Sequence, residues 1–164
     1  MSISSYAALW FLPFVLPICF YVIYTDISRM KITNKANLAL VGVFLVIGLI
    51  ALPFDVYMWR LLSLVIVLIV GIVLNAAGVM GAGDSKFIAA AAPFIALGDV
   101  RFLMLLFAAT LIAAFVAHRT AKFTPLRQLA PNWASWDQGK KFPMGLALGA
   151  TLAIYLALGV LYGA

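Results

Sequence analysis

Two aspartates, Asp26 and Asp84, are the residues of this sequence best placed to do chemistry. Asp84 follows Gly81-Ala82-Gly83 between two long apolar runs, and Asp26 ends the first apolar run of the chain. A carboxylate at the edge of hydrocarbon is costly, so an acid there indicates a functional site. Two carboxyl groups held close together share one proton, and such a pair can activate a water and protonate an oxyanion. The pattern predicts hydrolysis, provided that the fold brings the two acids together.

The composition indicates an integral membrane protein that is a bundle of helices. Hydrophobic residues make up 66% of the chain and charged residues 10%, whereas a soluble domain is about half apolar and about a quarter charged. The single cysteine, Cys19, excludes an intrachain disulfide and a Cys-based zinc site, and we expect neither a metal nor a cofactor. No basic patch alternates with aromatic residues, so the expected partner is the lipid bilayer and not a nucleic acid.

Six apolar runs predict six membrane-spanning helices in a single domain, residues 1–164. The spans are predicted at about 7–24, 37–54, 61–79, 84–97, 102–117 and 143–162, with loops 25–36, 80–86 and 118–142 on one face. A span needs about 20 helical residues, and the run 84–97 alone is clearly shorter. We expect Asp84 to be the N-cap of this short helix, recessed below the headgroups, where the helix dipole stabilises a carboxylate.

Basic residues are divided unequally between the two faces that six alternating spans produce. Nine of the eleven lie on the face of Asp26 and Asp84, and only Arg60 and Arg101 lie on the other. By the positive-inside rule the first face is cytoplasmic and both termini are outside. The chain crosses the membrane outward and back once between the two acids, so both are predicted at the cytoplasmic boundary.

The residues alone leave simpler interpretations of the acids open. Asp26 could end the first helix and pair with Arg29, and Asp84 could be only a helix cap at a tight hairpin. Asp55 and Asp99 are expected on the outer face, in contact with water. Two other functions also stay open at this point, a small proton-coupled transporter and a non-catalytic assembly subunit in which both acids are replaceable.

Two segments of the chain resemble the paired motifs of the type IV prepilin peptidases, which are membrane aspartyl proteases of the Gly-x-Gly-Asp class. The first runs from Asp26 to Ile32-Thr33-Asn34, and the second is Gly81-Ala-Gly-Asp84-Ser-Lys86. The family usually has Ile-Pro-Asn in the first motif. Thr33 stands in place of the proline, and we expect this change to loosen the turn without removing a catalytic group.

The resemblance implies a role for each motif residue. Asp26 and Asp84 would be the catalytic pair, while the supporting residues would be Gly81 and Gly83, which shape the second motif, and Ile32 and Asn34, which fix the loop after the first acid. Lys86 either pairs with a carboxylate or serves as a positively charged anchor.

The implied reaction is cleavage of a type IV prepilin leader at the cytoplasmic membrane boundary, just before the apolar helix of the pilin. Larger members of the family also carry a cytoplasmic domain with paired Cys-x-x-Cys motifs and methylate the new pilin N-terminus. This sequence has neither that segment nor those cysteines, and it most resembles the compact Tad/Cpa (Flp-pilus) branch. The implied partner is a prepilin or pseudopilin precursor in the inner membrane of a prokaryote.

Overall fold

The computed structural model describes residues 1–139 and 141–164, and within them the chain is a bundle of helices without strands. The helices are α1 (Ser5–Arg29), α2 (Asn34–Ala51), α3 (Phe54–Ala76), α4 (Ala82–Ala91), α5 (Val100–Phe123) and α6 (Met144–Tyr162). Short 3₁₀ helices lie at Ala92–Phe94, Leu97–Asp99, Pro125–Leu129 and Ala134–Trp136. The predicted all-α class is therefore confirmed for this part of the chain. Lys140, one of the nine basic residues of the predicted cytoplasmic face, lies outside the described residues.

Among the residues that the structure describes, five helices are long and apolar enough to cross a membrane. They are α1, α2, α3, α6 and the stretch Leu97–Phe123 that contains α5. The ten residues of α4 extend only about 15 Å at 1.5 Å per residue, which is half of the hydrocarbon thickness. The predicted count of six spans and the placement of both termini outside stay predictions.

The first helix is longer than predicted at its C-terminal end. It continues past residue 24 to Arg29, because no glycine or proline interrupts Thr25–Arg29. Met30 then adopts the left-handed conformation (φ 53°, ψ 41°), and its N–H donates to the carbonyl of Asp26 at 2.8 Å. Asp26 therefore lies in the last turn of a regular helix and not in the predicted loop 25–36. In the same way α5 extends to Phe123, past its predicted end at 117.

Helix α6 runs antiparallel to α1 and packs closely against it at small residues. A Cβ at Gly159 would lie 2.9 Å from Cβ of Ala8, and a Cβ at Gly149 would lie 3.0 Å from Cγ1 of Ile23. Small residues let two helices approach in a membrane, where van der Waals packing drives their association. This packing sets the beginning of α6 beside the end of α1.

The opposite end of the bundle is fixed by Asp99. Its carboxylate accepts hydrogen bonds from the backbone N–H groups of Ser2 at 2.6 Å and Ile3 at 3.0 Å, and from the hydroxyl of Tyr155 at 2.8 Å. The expectation that Asp99 contacts water is wrong, because these three donors replace water and only 4% of the residue is exposed. Asp55, in the first turn of α3, is exposed as expected.

Candidate active site

A cavity of about 460 Å³ lies where α1 ends and where α2, α4 and α6 begin. It is lined by every residue that the sequence analysis assigned to the site: Asp26, Ile32, Asn34, Gly81, Gly83, Asp84 and Lys86. The remaining lining residues are Met30, Lys31, Ala82, Phe142 and Met144. The fold thus brings the two sequence motifs to one place.

The carboxylate of Asp26 is oriented by the beginning of α6. Only 5% of Asp26 is exposed, and its Oδ2 accepts a hydrogen bond from the backbone N–H of Gly145 at 2.5 Å. The first N–H groups of a helix have no partner within the helix, and the helix dipole attracts negative charge there. A Cβ at residue 145 would lie 2.9 Å from both Cβ and Oδ2 of Asp26. Only glycine fits this position without moving the acid.

Asp84 lies in the first turn of α4, half-buried, and outside the five long apolar helices. The prediction that Asp84 is the N-cap is wrong, since the helix begins at Ala82 and Gly81 is the cap residue. A Cβ at Gly81 would lie 2.8 Å from Oδ2 of Asp84, so this glycine leaves room for the carboxylate. Burial raises the pKa of Asp84 above its usual value, because the charged form loses hydration.

The two carboxyl groups face the same cavity without a cationic partner in the described part of the chain. Both Asp26 and Asp84 are among the residues that line it. The one ion pair found in residues 1–139 and 141–164 joins Arg127 to Asp137 at 2.9 Å, so the alternative in which Asp26 pairs with Arg29 does not occur. Like charges that share a site favour a state in which one of them keeps a proton.

A sequence model of the type IV leader peptidase family matches residues 13–118. This chain belongs to that family. No curated protein and no solved structure matches the chain. The matched region contains both aspartates and ends before the loop that leads to α6. Helix α6, which orients Asp26 in this leader peptidase, therefore lies outside the matched region.

A hydrogen bond between side chains links the two motifs of the peptidase. Nζ of Lys86 donates to Oδ1 of Asn34 at 3.2 Å, and this lysine forms no ion pair with a carboxylate of the described residues. Ile32 is buried and lies beside Gly83, where an added Cβ would be 3.5 Å from the Cβ of Ile32. Ile32 and Asn34 therefore both contact the second motif.

Thr33, which we expected to loosen the turn after Asp26, has a capping role in the structure. Thr33 is the N-cap of α2, and its Oγ1 accepts a hydrogen bond from the N–H of Ala36 at 3.3 Å. Threonine is a favoured N-cap because its hydroxyl satisfies one of the unpaired N–H groups of the first turn. The residue that departs from the family pattern fixes the beginning of α2 in another way.

The loop between α5 and α6 forms a further wall through Phe142. Aromatic rings connect this loop to α1 and α5: Tyr24 contacts Trp133, Trp133 stacks on Trp136 with centroids 5.7 Å apart, and Trp136 stacks on His118 at 4.9 Å. The sequence signal for this arrangement is the pair of tryptophans in an otherwise polar segment. Among the described residues no group of three or more His, Cys, Asp or Glu side chains is placed to hold a metal ion.

Gly145, which orients Asp26, is a residue that the sequence analysis did not assign to the site. Its only signal is a glycine two residues after Pro143, at the beginning of the last apolar run. Nothing in that pattern relates it to Asp26, which is far away in sequence. The contact follows from how α6 packs on α1.

Proposed function

We propose that this chain is an aspartic endopeptidase that removes the leader from type IV pilin precursors, with Asp26 and Asp84 as its catalytic pair. Membership of the type IV leader peptidase family supports a peptidase activity. The observation that carries the aspartate pair is that both carboxyl groups line one cavity, where no cation among the described residues pairs with them.

In the proposed mechanism the two carboxyl groups work as one unit with a single shared proton. The ionised group accepts a proton from a water molecule, whose oxygen attacks the carbonyl carbon of the scissile peptide bond. The protonated group donates its proton to the carbonyl oxygen, and a tetrahedral intermediate forms. The group that took the water proton then gives it to the leaving nitrogen as the C–N bond breaks. A hydroxyl of the intermediate returns its proton to the other group, so the new carboxyl group keeps the water oxygen and the pair again holds one proton.

The surroundings of the cavity support a substrate that meets the enzyme at the membrane boundary. Met30, Phe142 and Met144 add apolar walls beside the acids, and these suit the apolar residues that follow the scissile bond. The excess of basic residues on this face supports a cytoplasmic site in the inner membrane, since such residues favour the cytoplasmic side. The prepilin leader would stay in the cytoplasm while the pilin helix lies in lipid beside the bundle.

The resemblance of the motifs to the Tad/Cpa branch favours a Flp-like pilin as substrate. Co-expression with such a prepilin tests the proposal, with processing followed as a size change on a gel. We expect Asp26→Asn and Asp84→Asn each to abolish processing, and Asp55→Asn to leave it unchanged. Asp55 is the matched control because it is exposed and lies outside the cavity.

The three variants must be present in the membrane in equal amounts, so that a difference in processing reflects activity and not expression. Processing at the wild-type rate in either cavity variant would exclude the aspartate pair. The assembly-subunit alternative predicts instead that even the wild-type chain leaves the co-expressed prepilin uncut, because a subunit without catalysis cannot process it.

A further inference from the structure

A second cavity, of about 520 Å³, lies at the other end of the bundle from the aspartates. Its lining includes Ser2, whose backbone N–H also binds Asp99, and Arg60, Ser63 and Trp59 of α3. The stretch 95–98, which follows the first 3₁₀ helix after α4, completes the wall. No step of the proposed peptide hydrolysis uses this cavity.

Arg60 is the cationic group of this cavity, and only 8% of it is exposed. Its Nη1 donates to the carbonyl oxygens of Pro93 at 3.3 Å and Phe94 at 3.1 Å. Within residues 1–139 and 141–164, Nε and Nη2 have no hydrogen-bond partner in the protein. A guanidinium has five N–H donors, so a buried one that uses a single nitrogen has its other edge available.

The acids at this end of the bundle do not pair with Arg60. The carboxylate of Asp99 is already bound by two backbone N–H groups and the hydroxyl of Tyr155, and Asp55 is exposed. Neither acid forms an ion pair with Arg60 in the part of the chain described. A buried cation of this kind is stabilised by an anion that also satisfies its remaining hydrogen-bond donors.

We propose that this cavity binds the phosphate of an anionic phospholipid through the Nε and Nη2 edge of Arg60. Two parallel N–H donors match two oxygens of a phosphate, which is the bidentate geometry that arginine provides and lysine does not. The hydroxyl of Ser63 donates to the carbonyl of Arg60 at 2.6 Å, so its oxygen is left as an acceptor for a headgroup hydroxyl.

The walls of the cavity favour a lipid over free phosphate. Trp59 is 67% exposed and Leu97 is 74% exposed, so the polar centre at Arg60 is bordered by apolar side chains that face outward. Further along α3, apolar residues such as Leu62 and Ile66 are also exposed. Arg60 lies in the second turn of α3, about 10 Å from the beginning of the helix along its axis. A lipid whose phosphate binds Arg60 could therefore lay its acyl chains along the rest of α3.

Native mass spectrometry of the full-length protein, purified in detergent and stripped of lipid, tests the proposal. The protein is titrated with phosphatidylglycerol, with phosphatidylcholine of the same acyl chains, and with inorganic phosphate. We expect one phosphatidylglycerol to bind the wild type and Arg101→Gln at least 10-fold more tightly than it binds Arg60→Gln. Arg101 is the matched control, since it is the other arginine predicted on this face and is exposed.

A second variant keeps the test decisive if Arg60→Gln fails to fold. Ser63→Phe fills the cavity and leaves Arg60 in place, and it is expected to lose the bound phosphatidylglycerol as well. Wild-type lipid binding by either folded variant would overturn the proposal. Equal binding of phosphatidylcholine would overturn the anionic headgroup, and displacement of the lipid by inorganic phosphate would identify free phosphate as the ligand instead.

Discussion

The substitution Gly145→Ala tests whether the beginning of α6 positions the proposed catalytic Asp26. The added Cβ would lie 2.9 Å from Cβ and Oδ2 of Asp26 and 3.0 Å from its Cγ. Carbon atoms in ordinary contact are about 3.5–4.0 Å apart, so the acid or the helix must move by about 0.5–1 Å. The N–H of residue 145 is still present, but its hydrogen bond to Oδ2 would be lengthened or bent.

A displacement of this size is expected to slow catalysis measurably. Misplacing a reacting group by about 1 Å costs roughly 100-fold in rate, and each tenfold corresponds to about 1.4 kcal/mol of transition-state free energy. We therefore expect kcat/KM for prepilin cleavage to fall by about 10- to 100-fold, or about 1.4–2.7 kcal/mol. Replacing a glycine within a helix by alanine generally stabilises the helix by up to about 1 kcal/mol, so a change in helix propensity cannot explain a loss of activity.

The matched control is Gly42→Ala in α2. A Cβ there would meet nothing within 4 Å, so it makes the same change in helix propensity without the contact. The assay is the initial rate of prepilin cleavage by purified protein in detergent, together with thermal unfolding of both variants. Equal cleavage rates for Gly145→Ala and Gly42→Ala would refute the reasoning about Asp26.

Three further predictions concern the acids and the helix cap. Because burial raises the pKa of Asp84 above 3.8, the folded state holds this proton more tightly than the unfolded state. The stability from Asp84 is then fully present below pH 3.8 and is lost as the pH rises through the raised pKa. The Tm of the wild type minus that of Asp84→Asn should therefore decrease with rising pH in thermal unfolding, and a difference that is independent of pH would contradict this. Thr33→Ala removes the N-cap hydrogen bond of α2 and should lower the free energy of unfolding by about 1 kcal/mol. Thr33→Ser keeps a hydroxyl and should keep the wild-type stability. If Thr33→Ala were as stable as the wild type, the cap would not be needed. In Asp99→Asn the amide cannot accept from all three donors as the carboxylate does, so the Tm of this variant should fall by several degrees. The exposed Asp55→Asn should keep the wild-type Tm. An unchanged Tm for Asp99→Asn would count against the role of the Asp99 hydrogen bonds.

The position of Asp26 and Asp84 at the same end of the bundle could be predicted from sequence because it depends on the hydropathy pattern. Apolar runs of helical length carry the chain across the membrane and back, and polar residues mark where each run ends. The same reasoning gave approximate helix positions but not their ends. Asp26 lies inside α1 because the stop signal is the backbone conformation of Met30, which has no signature in the residue type.

The contacts that fix the site could not be predicted, since they depend on how helices pack. The register of α6 on α1 sets Gly145 against Asp26, and no local pattern encodes that register. Asp99 was expected in water because it follows an apolar run, yet backbone N–H groups near the other end of the chain bind it. Thr33 was expected to loosen the turn because it replaces a proline, and its hydroxyl gives it a capping role that proline cannot have.

The dependence of Asp26 on α6 has a consequence for the biosynthesis of the protein. Membrane helices emerge from the ribosome in chain order, N-terminal first, so both aspartates are in place before α6 has been made. Until α6 inserts beside α1, Asp26 lacks the N–H of Gly145, and the pair is not yet in its final arrangement. In the proposed mechanism, a nascent chain would therefore hold both acids but cut slowly, and full activity would begin only when α6 packs against α1.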